Sequence, residues 1–185
     1  MVVGGLDLAA YEHRCSGFAV VDEEDKTLKE LLCLYSDADI VNKVKLLSIE
    51  VLAVDAPIAE HPRFREVDRE AIRRGFRVLP PTFKYMKMLT VRAWRLYNEF
   101  KSMGIMVIET HPRSALINSG SNNVIELCNS LGISIGHHID KNKISHKDLR
   151  DALISSLVAF CYKKKTYIES IEAEDGTIYI IAPLK

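Results

Sequence analysis

The chain opens on a run of apolar and small positions interrupted once, "VVGGLDLA", which predicts a strand over residues 2–9. "SGFAVVD" (16–22) predicts a second strand and "TLKELLCLY" (27–35) a third. Gly17 and the acidic turn at 22–26 suit an antiparallel meander. Apolar spacing then changes. In "SDADIVNKVKLLSIE", Ile40, Val41, Val44 and Leu47 recur at helical intervals, and Ser36 or Asp37 can cap the helix. A buried-strand pattern returns at 50–55 with "VLAVD".

Residues 56–83 are punctuated by Pro57, Pro62, Pro80 and Pro81 around a charged helix near 64–74, which Gly75 ends. An amphipathic helix at about 84–103 stops at Gly104, and a strand follows at 105–109. Helical pieces are expected near 112–118 and 121–131, then a loop, "GISIGHHIDKNKI", and a helix at 145–162. The end reads as a hairpin turning at Asp175-Gly176. This order of elements predicts an α/β or α+β fold and excludes a helical bundle or a β-sandwich.

A length of 185 residues suits one domain over 1–185 with a sizeable core. The 25 basic residues cancel the 25 acidic ones, so no global field points to nucleic acid or a membrane. No apolar stretch reaches the roughly 18–20 residues that span a bilayer. Without a basic leader or cleavage site, the expectation is a soluble cytoplasmic protein with no membrane partner. Cys15, Cys33, Cys128 and Cys161 form no CxxC pair, which argues against zinc and fits reduced thiols.

Three carboxylates stand where apolar strands would bury them: Asp7 in "GLDLA", Asp55 in "VLAVDAP" and Glu109 in "IMVIETHP". Such a group is costly without compensation. Side chains alternate along a strand, so Asp7 shares a face with Val3 and Gly5, Asp55 with Val51 and Ala53, and Glu109 with Ile105 and Val107. If strands 1, 4 and 5 are neighbours, the three acids gather at their carboxyl ends, where open α/β sheets place their sites. The helix "SHKDLRDALISSLVAFCY" is apolar nearly all round beyond its first turn, and a lone charge at Asp151 would be expensive there. Asp148 reads as the third position of a capping box begun by Ser145, and is kept as a second candidate. Crowded carboxylates need a cation or raised pKa values, and an all-oxygen set suits Mg²⁺ or Mn²⁺. Paired ions of this kind assist phosphoryl displacement.

Between Arg63 and Arg95 ten basic residues face three acidic ones, an excess of seven positive charges. Arg63, Arg69, Arg73 and Lys84 are candidate phosphate contacts, with Phe83, Tyr85 and Trp94 as candidate stacking surfaces. Against this, Glu66–Arg69, Glu70–Arg73 and Glu70–Arg74 have the spacing of solvated helix pairs, and Trp94 and Leu96 that of core residues. The histidines show no HExxH spacing. His111 is the candidate for proton transfer or phosphate orientation, with Arg113, Lys143 and Lys141 as further contacts.

The ordered set "GLDLA", "SGFAVVD", "AVDAPIA", "RFREVDREAIRRG", "VIETHPRSAL", "HKDLRDALISS" and "DGTIYIIAP" resembles domain-of-unknown-function family 429, predicted nucleases of ribonuclease-H-like fold. The resemblance runs nearly end to end. It implies a five-stranded mixed sheet flanked by helices, with a helical insertion at about 56–104 and a C-terminal hairpin. The family's predicted acidic site maps onto Asp7, Asp55, Glu109 and Asp151. The opening also has a counterpart in Holliday-junction resolvases, which keeps structured DNA among the substrates.

The expected function is therefore hydrolysis of DNA or RNA phosphodiesters by a Mg²⁺- or Mn²⁺-dependent nuclease. In it Asp7, Asp55, Glu109 and Asp151 are catalytic and bind metal, with Asp148 in reserve. The alternative is a non-catalytic nucleic-acid- or nucleotide-binding module of the same fold. An actin-like nucleotide site needs two such domains around a cleft, which 185 residues accommodate only as a homodimer.

Overall fold

The computed structural model describes residues 1–79 and 83–184, so the punctuation expected from Pro80 and Pro81 lies outside the described residues. Strands β1 (Val2–Asp7), β2 (Ser16–Asp22) and β3 (Thr27–Leu34) form the antiparallel meander. Helix α1 (Asp37–Leu46) follows, and Ser36 caps it: its hydroxyl accepts the Asp39 N–H while the Asp39 carboxylate accepts that of Ser36. Strand β4 (Val51–Asp55) runs parallel to β1. Between β4 and β5 (Met106–Thr110) lie helices α2 (Glu66–Arg73) and α3 (Lys84–Ser102). Both are followed by glycines of left-handed backbone, Gly75 and Gly104, where a side chain would be strained.

Helices α4 (Pro112–Ser119) and α5 (Val124–Leu131), the short strand β6 (Ser134–Ile135) and a 3₁₀ turn (Lys141–Ser145) lead into α6 (Lys147–Lys164). The chain then forms the hairpin β7 (Ile168–Ala173) and β8 (Gly176–Ile181). One mixed sheet results, ordered β6-β3-β2-β1-β4-β5-β8-β7. The five expected strands are its centre. The hairpin extends it by parallel pairing of β8 with β5, and β6 adds to β3.

Two features differ from the sequence expectation. The capping box at Ser145 does not form. His146 is the N-cap of α6, and the Ser145 hydroxyl donates to the Asn142 carbonyl within the 3₁₀ turn. Nor are the cysteines all reduced, because Cys15 and Cys33 are disulfide-bonded. Their 18-residue separation hides a neighbourhood that strand pairing creates, since Gly17, two residues beyond Cys15, lies opposite Cys33. Cys128 and Cys161 are buried thiols whose pKa desolvation pushes up to about 12, which leaves them unreactive. Among the described residues no helix is long and apolar enough to cross a membrane.

The packing of α6 positions the site. On one sheet face Ala19, Gly5 and Ala53 stand side by side across β2, β1 and β4. This row of small residues lets α6 settle directly on the sheet. A Cβ at Gly5 would overlap the Ser156 nitrogen and the Ala152 carbonyl oxygen, and one at Gly17 would overlap the Asp148 carbonyl. Helices α1 and α3 cover the opposite face through a second apolar cluster that includes Ile40, Leu52, Leu89 and Phe100.

Gly5→Ala must therefore push α6 off β1. The expected cost is roughly 1–3 kcal/mol or more, read as a lower midpoint in urea. An unchanged midpoint would contradict this seating of the helix.

Candidate metal centre

The next row along the same face is Gly17, Asp7 and Asp55, paired across β2, β1 and β4. Asp7 and Asp55 are direct partners, so their carboxylates leave the sheet side by side at the carboxyl ends of β1 and β4. Helix α6 crosses above them. Its Asp148 lies over Gly17 and its Ala152 over Gly5, and the turn between them brings Asp151 to the pair. Each of Asp7, Asp55 and Asp151 offers an oxygen within 4.8 Å of the other two.

Electrostatics make this group unusual. Burial pushes the Asp7 carboxyl up to about 7; Lys147 lowers it, while Asp151 and Asp148 add to the rise. Asp55 is raised well above the ordinary carboxylate value, first by burial and then by the charges of Asp7 and Asp151. The nearby cations are partial compensation. Lys147 Nζ lies 3.1 Å from Asp151, but its side chain is 72% exposed, and Arg150 Nε is 3.4 Å from the same carboxylate. Three hard oxygen donors with a deficit of positive charge fit a Mg²⁺ or Mn²⁺ ion, whose other positions water or a phosphate would fill.

Lys147→Met removes the cation that most lowers the Asp7 carboxyl. The Asp7 carboxyl is then expected to titrate above the value near 7, read by carbon-13 NMR of the aspartate carboxyls in metal-free protein. A titration unchanged by the substitution would show that Lys147 does not act on the pair.

Glu109 is not the fourth member of this group. Strand register pairs it with Val54 and Ile178, one residue short of Asp55, so it leaves the sheet on the face covered by α2 and α3. There its Oε2 accepts Arg65 Nη1 at 2.7 Å and the Ile58 N–H at 2.8 Å, and its Oε1 accepts Arg65 Nη2 at 2.5 Å. Arg65, 1% exposed, also donates through Nε and Nη2 to Asp68. Burial works against the guanidinium charge, but the hydrogen bonds and charges of Glu109 and Asp68 outweigh it and raise the Arg65 pKa. Burial holds Glu109 above its ordinary value, with the Asp68 charge adding to the rise, while the Arg65 hydrogen bonds and charge and the Ile58 N–H oppose it.

A cleft of about 1210 Å³ opens over both groups. It is lined by His111, Arg113, Lys141, Lys147, Arg150 and Arg77. Arg63, Arg69, Arg73, Lys84 and Lys143 lie outside its lining. Arg63 is 3.8 Å from Asp175, Arg69 pairs with Glu66, and Arg73 is 2.8 Å from Glu70. Lys84 opens α3 as an exposed residue, and Lys143 donates to the Leu31 carbonyl at 3.3 Å. The solvated-pair reading of the α2 charges is the one the structure forms. Arg92 is also engaged internally, by Asp37 and the carbonyls of Ala9 and Tyr35.

His111 sits at the N-terminus of α4 with Nδ1 2.5 Å from the Ser114 hydroxyl, and burial, then Arg113, lowers its pKa. Sequence reasoning missed Lys147 and Arg150 as neighbours of the acids. The signal was the i,i+4 spacing of Lys147 and Asp151.

The fold has counterparts among solved structures. Thermus thermophilus RuvC in complex with a Holliday junction substrate aligns with 90% of this chain and 98% of its own, at 18% identity and a TM-score of 0.53. A second structure of T. thermophilus RuvC aligns over the same shares at 16% identity and a TM-score of 0.51. The fold is ribonuclease-H-like. No family model matches the sequence, and no curated protein does.

Proposed function

We infer that the protein is a divalent-metal-dependent nuclease that hydrolyses phosphodiester bonds, with Asp7, Asp55 and Asp151 as the ligands of Mg²⁺ or Mn²⁺. The observation that carries this is the convergence of a strand-paired carboxylate couple with a third acid from α6, all within 4.8 Å. Desolvation leaves that group short of positive charge. When bound, the metal would polarise the scissile phosphate and lower the pKa of a coordinated water.

The chain's own residues supply the rest. Asp7 and Asp55 are direct partners in the β1–β4 ladder, so the sheet fixes the backbone from which both carboxylates rise. Arg113, Lys141, Lys147 and Arg150 line the cleft and would hold the phosphates flanking the reacting one. His111 has its Nδ1 beside the Ser114 hydroxyl and burial disfavours its charged form, which leaves Nε2 as the nitrogen that would meet the substrate or its attacking water. Glu109 acts differently from the expectation. It holds Arg65, and with it the segment between β4 and α2, against β5.

Nucleic acid is the proposed substrate, and membership of family 429 belongs to the same reading. Because one structural neighbour was solved with a Holliday junction, branched DNA is the first substrate to try. A non-catalytic binding module is the second reading. It draws on the two ion pairs, Lys147–Asp151 and Arg65–Glu109, that neutralise two of the four acids first expected in the site.

The test is incubation of end-labelled four-way junction, duplex DNA, single-stranded DNA and RNA with Mn²⁺, Mg²⁺ or chelator. Metal-dependent cleavage of at least one substrate, lost in Asp55→Asn, is expected. Binding without cleavage of any of them would favour the second reading.

A further inference from the structure

The disulfide has neighbours that a structural crosslink does not need. Cys15 Sγ, a ring nitrogen of His146 and a carboxylate oxygen of Asp148 lie within 4.8 Å of one another. Cys33 Sγ is not one of these three atoms, but its bond to Cys15 Sγ puts it beside them. Two sulfurs, an imidazole and a carboxylate are a donor set matched to tetrahedral Zn²⁺. Among the described residues neither the His146 imidazole nor the Asp148 carboxylate makes a hydrogen bond or ion pair. His146 is the N-cap residue of α6, yet its side chain caps nothing. Both polar groups are thus free to turn toward the sulfurs.

Backbone contacts join the segments that carry the four residues. The β2–β3 ladder pairs Gly17 with Cys33 and Ser16 with Leu34, which fixes the approach of Cys15 to Cys33 with their Cα atoms 5.0 Å apart. The Asp148 carbonyl rests on Gly17, which fixes the first turn of α6 over the same corner. Separation of the sulfurs to the ~3.7 Å that two Zn–S bonds of about 2.3 Å require is within reach of side-chain rotation.

We propose that reduction of Cys15–Cys33 creates a Zn²⁺ site formed by Cys15, Cys33, His146 and Asp148. It is separate from the Asp7–Asp55–Asp151 group and braces the start of β2 and the end of β3 against the N-terminus of α6. The chemistry balances with a dithiol as the reductant. It supplies two electrons and two protons, its own sulfurs become a disulfide, and Cys15 and Cys33 become thiols. Binding of Zn²⁺ then forms two S–Zn bonds and releases the two thiol protons. The corner therefore has two closed states, one covalent and oxidised, the other metal-bound and reduced. In both, Asp151 one turn further along α6 is held near the Gly17–Asp7 pair.

Cobalt(II) tests this, since thiolate coordination gives a near-ultraviolet charge-transfer band that a carboxylate site cannot give. The full-length protein is reduced anaerobically with a phosphine, freed of excess reagent and titrated with Co²⁺, then with Zn²⁺. The expected result is a band saturating at one Co²⁺ per chain and displaced by Zn²⁺. It is missing from the oxidised protein and from Cys33→Ser, and the affinity drops at least tenfold in His146→Ala and in Asp148→Asn.

Retention of the band in Asp55→Asn is expected as well, so the result does not depend on the nuclease reading. If reduction unfolds the chain, recovery of the native circular dichroism on adding Zn²⁺ supports the proposal, and failure to recover overturns it. A folded reduced protein without the band also overturns it, as does a band of unchanged affinity in both His146→Ala and Asp148→Asn.

Discussion

Asp55→Asn is expected to make the metal-free protein more stable at pH 8 while removing its metal site. Asp55 is held beside Asp7 by strand register, and burial and the Asp7 charge both disfavour its ionised form. The amide keeps the shape and discards the charge. Each pKa unit of upward shift corresponds to about 1.4 kcal/mol, so the pair costs the folded state a few kcal/mol when both are ionised. A carboxyl with a raised folded-state pKa binds its proton more tightly folded than unfolded. Stability therefore falls as pH rises from the unfolded value near 3.8 to about 7 for Asp7, and Asp55, raised in the same direction, adds to the fall.

Chemical denaturation in chelator at pH 5 and pH 8 reads this directly. The wild type should lose stability between the two relative to Asp55→Asn, whose midpoint at pH 8 should be the higher. Comparison of the two proteins cancels His111, whose lowered pKa contributes the opposite slope in both. A variant less stable than wild type at pH 8 would mean that Asp55 is already compensated within the protein, which removes the argument for a cation.

The second large effect falls on Arg65. Its guanidinium is closed in by Glu109 and Asp68, both of them also buried. Removal of one partner from a buried ion pair costs roughly 3–5 kcal/mol, because the other charges remain without water or counterion. Arg65→Ala is expected to lose about that much, read as a shift of the urea midpoint. Arg65→Lys is expected to recover only part of it, since a single ammonium cannot repeat the forked contacts to two carboxylates. If Arg65→Ala were as stable as wild type, the clamp between the α2 segment and β5 would have no energetic weight, and Glu109 would return as a candidate metal ligand.

That exchange of roles for Glu109 shows where the sequence was legible and where it was not. The couple Asp7 and Asp55 could be read because each ends an apolar strand two residues after a small residue, Gly5 and Ala53, and those small residues make the bed for α6. Asp151 could be read because a charge on an otherwise apolar helix needs a reason. Glu109 obeyed the same strand-tip pattern, but the face a side chain takes depends on register between strands. One residue of offset sent it to the other side of the sheet. Arg65 was hidden among ten basic residues, although Arg65 and Asp68 stand at i,i+3 spacing. The strand β6, the joining of the C-terminal hairpin to β5 and the Cys15–Cys33 corner were out of reach for a shared reason. Each is made by contacts between segments distant in sequence, which local spacing does not encode.

The measurement closest to the central claim is calorimetric titration of Mn²⁺ into the oxidised wild type, Asp7→Asn and Asp55→Asn at pH 8, where Asp7 is largely ionised. Loss of a partner behind a metal ligand costs roughly 10–100-fold in affinity, and loss of a ligand itself should cost more. The expected result is saturable binding in the wild type, weakened more than about 100-fold in both variants, with affinity in the wild type falling as pH drops below 7 and Asp7 takes up its proton. Folded variants that bind Mn²⁺ as the wild type does would contradict it, and so would a folded wild type that binds none.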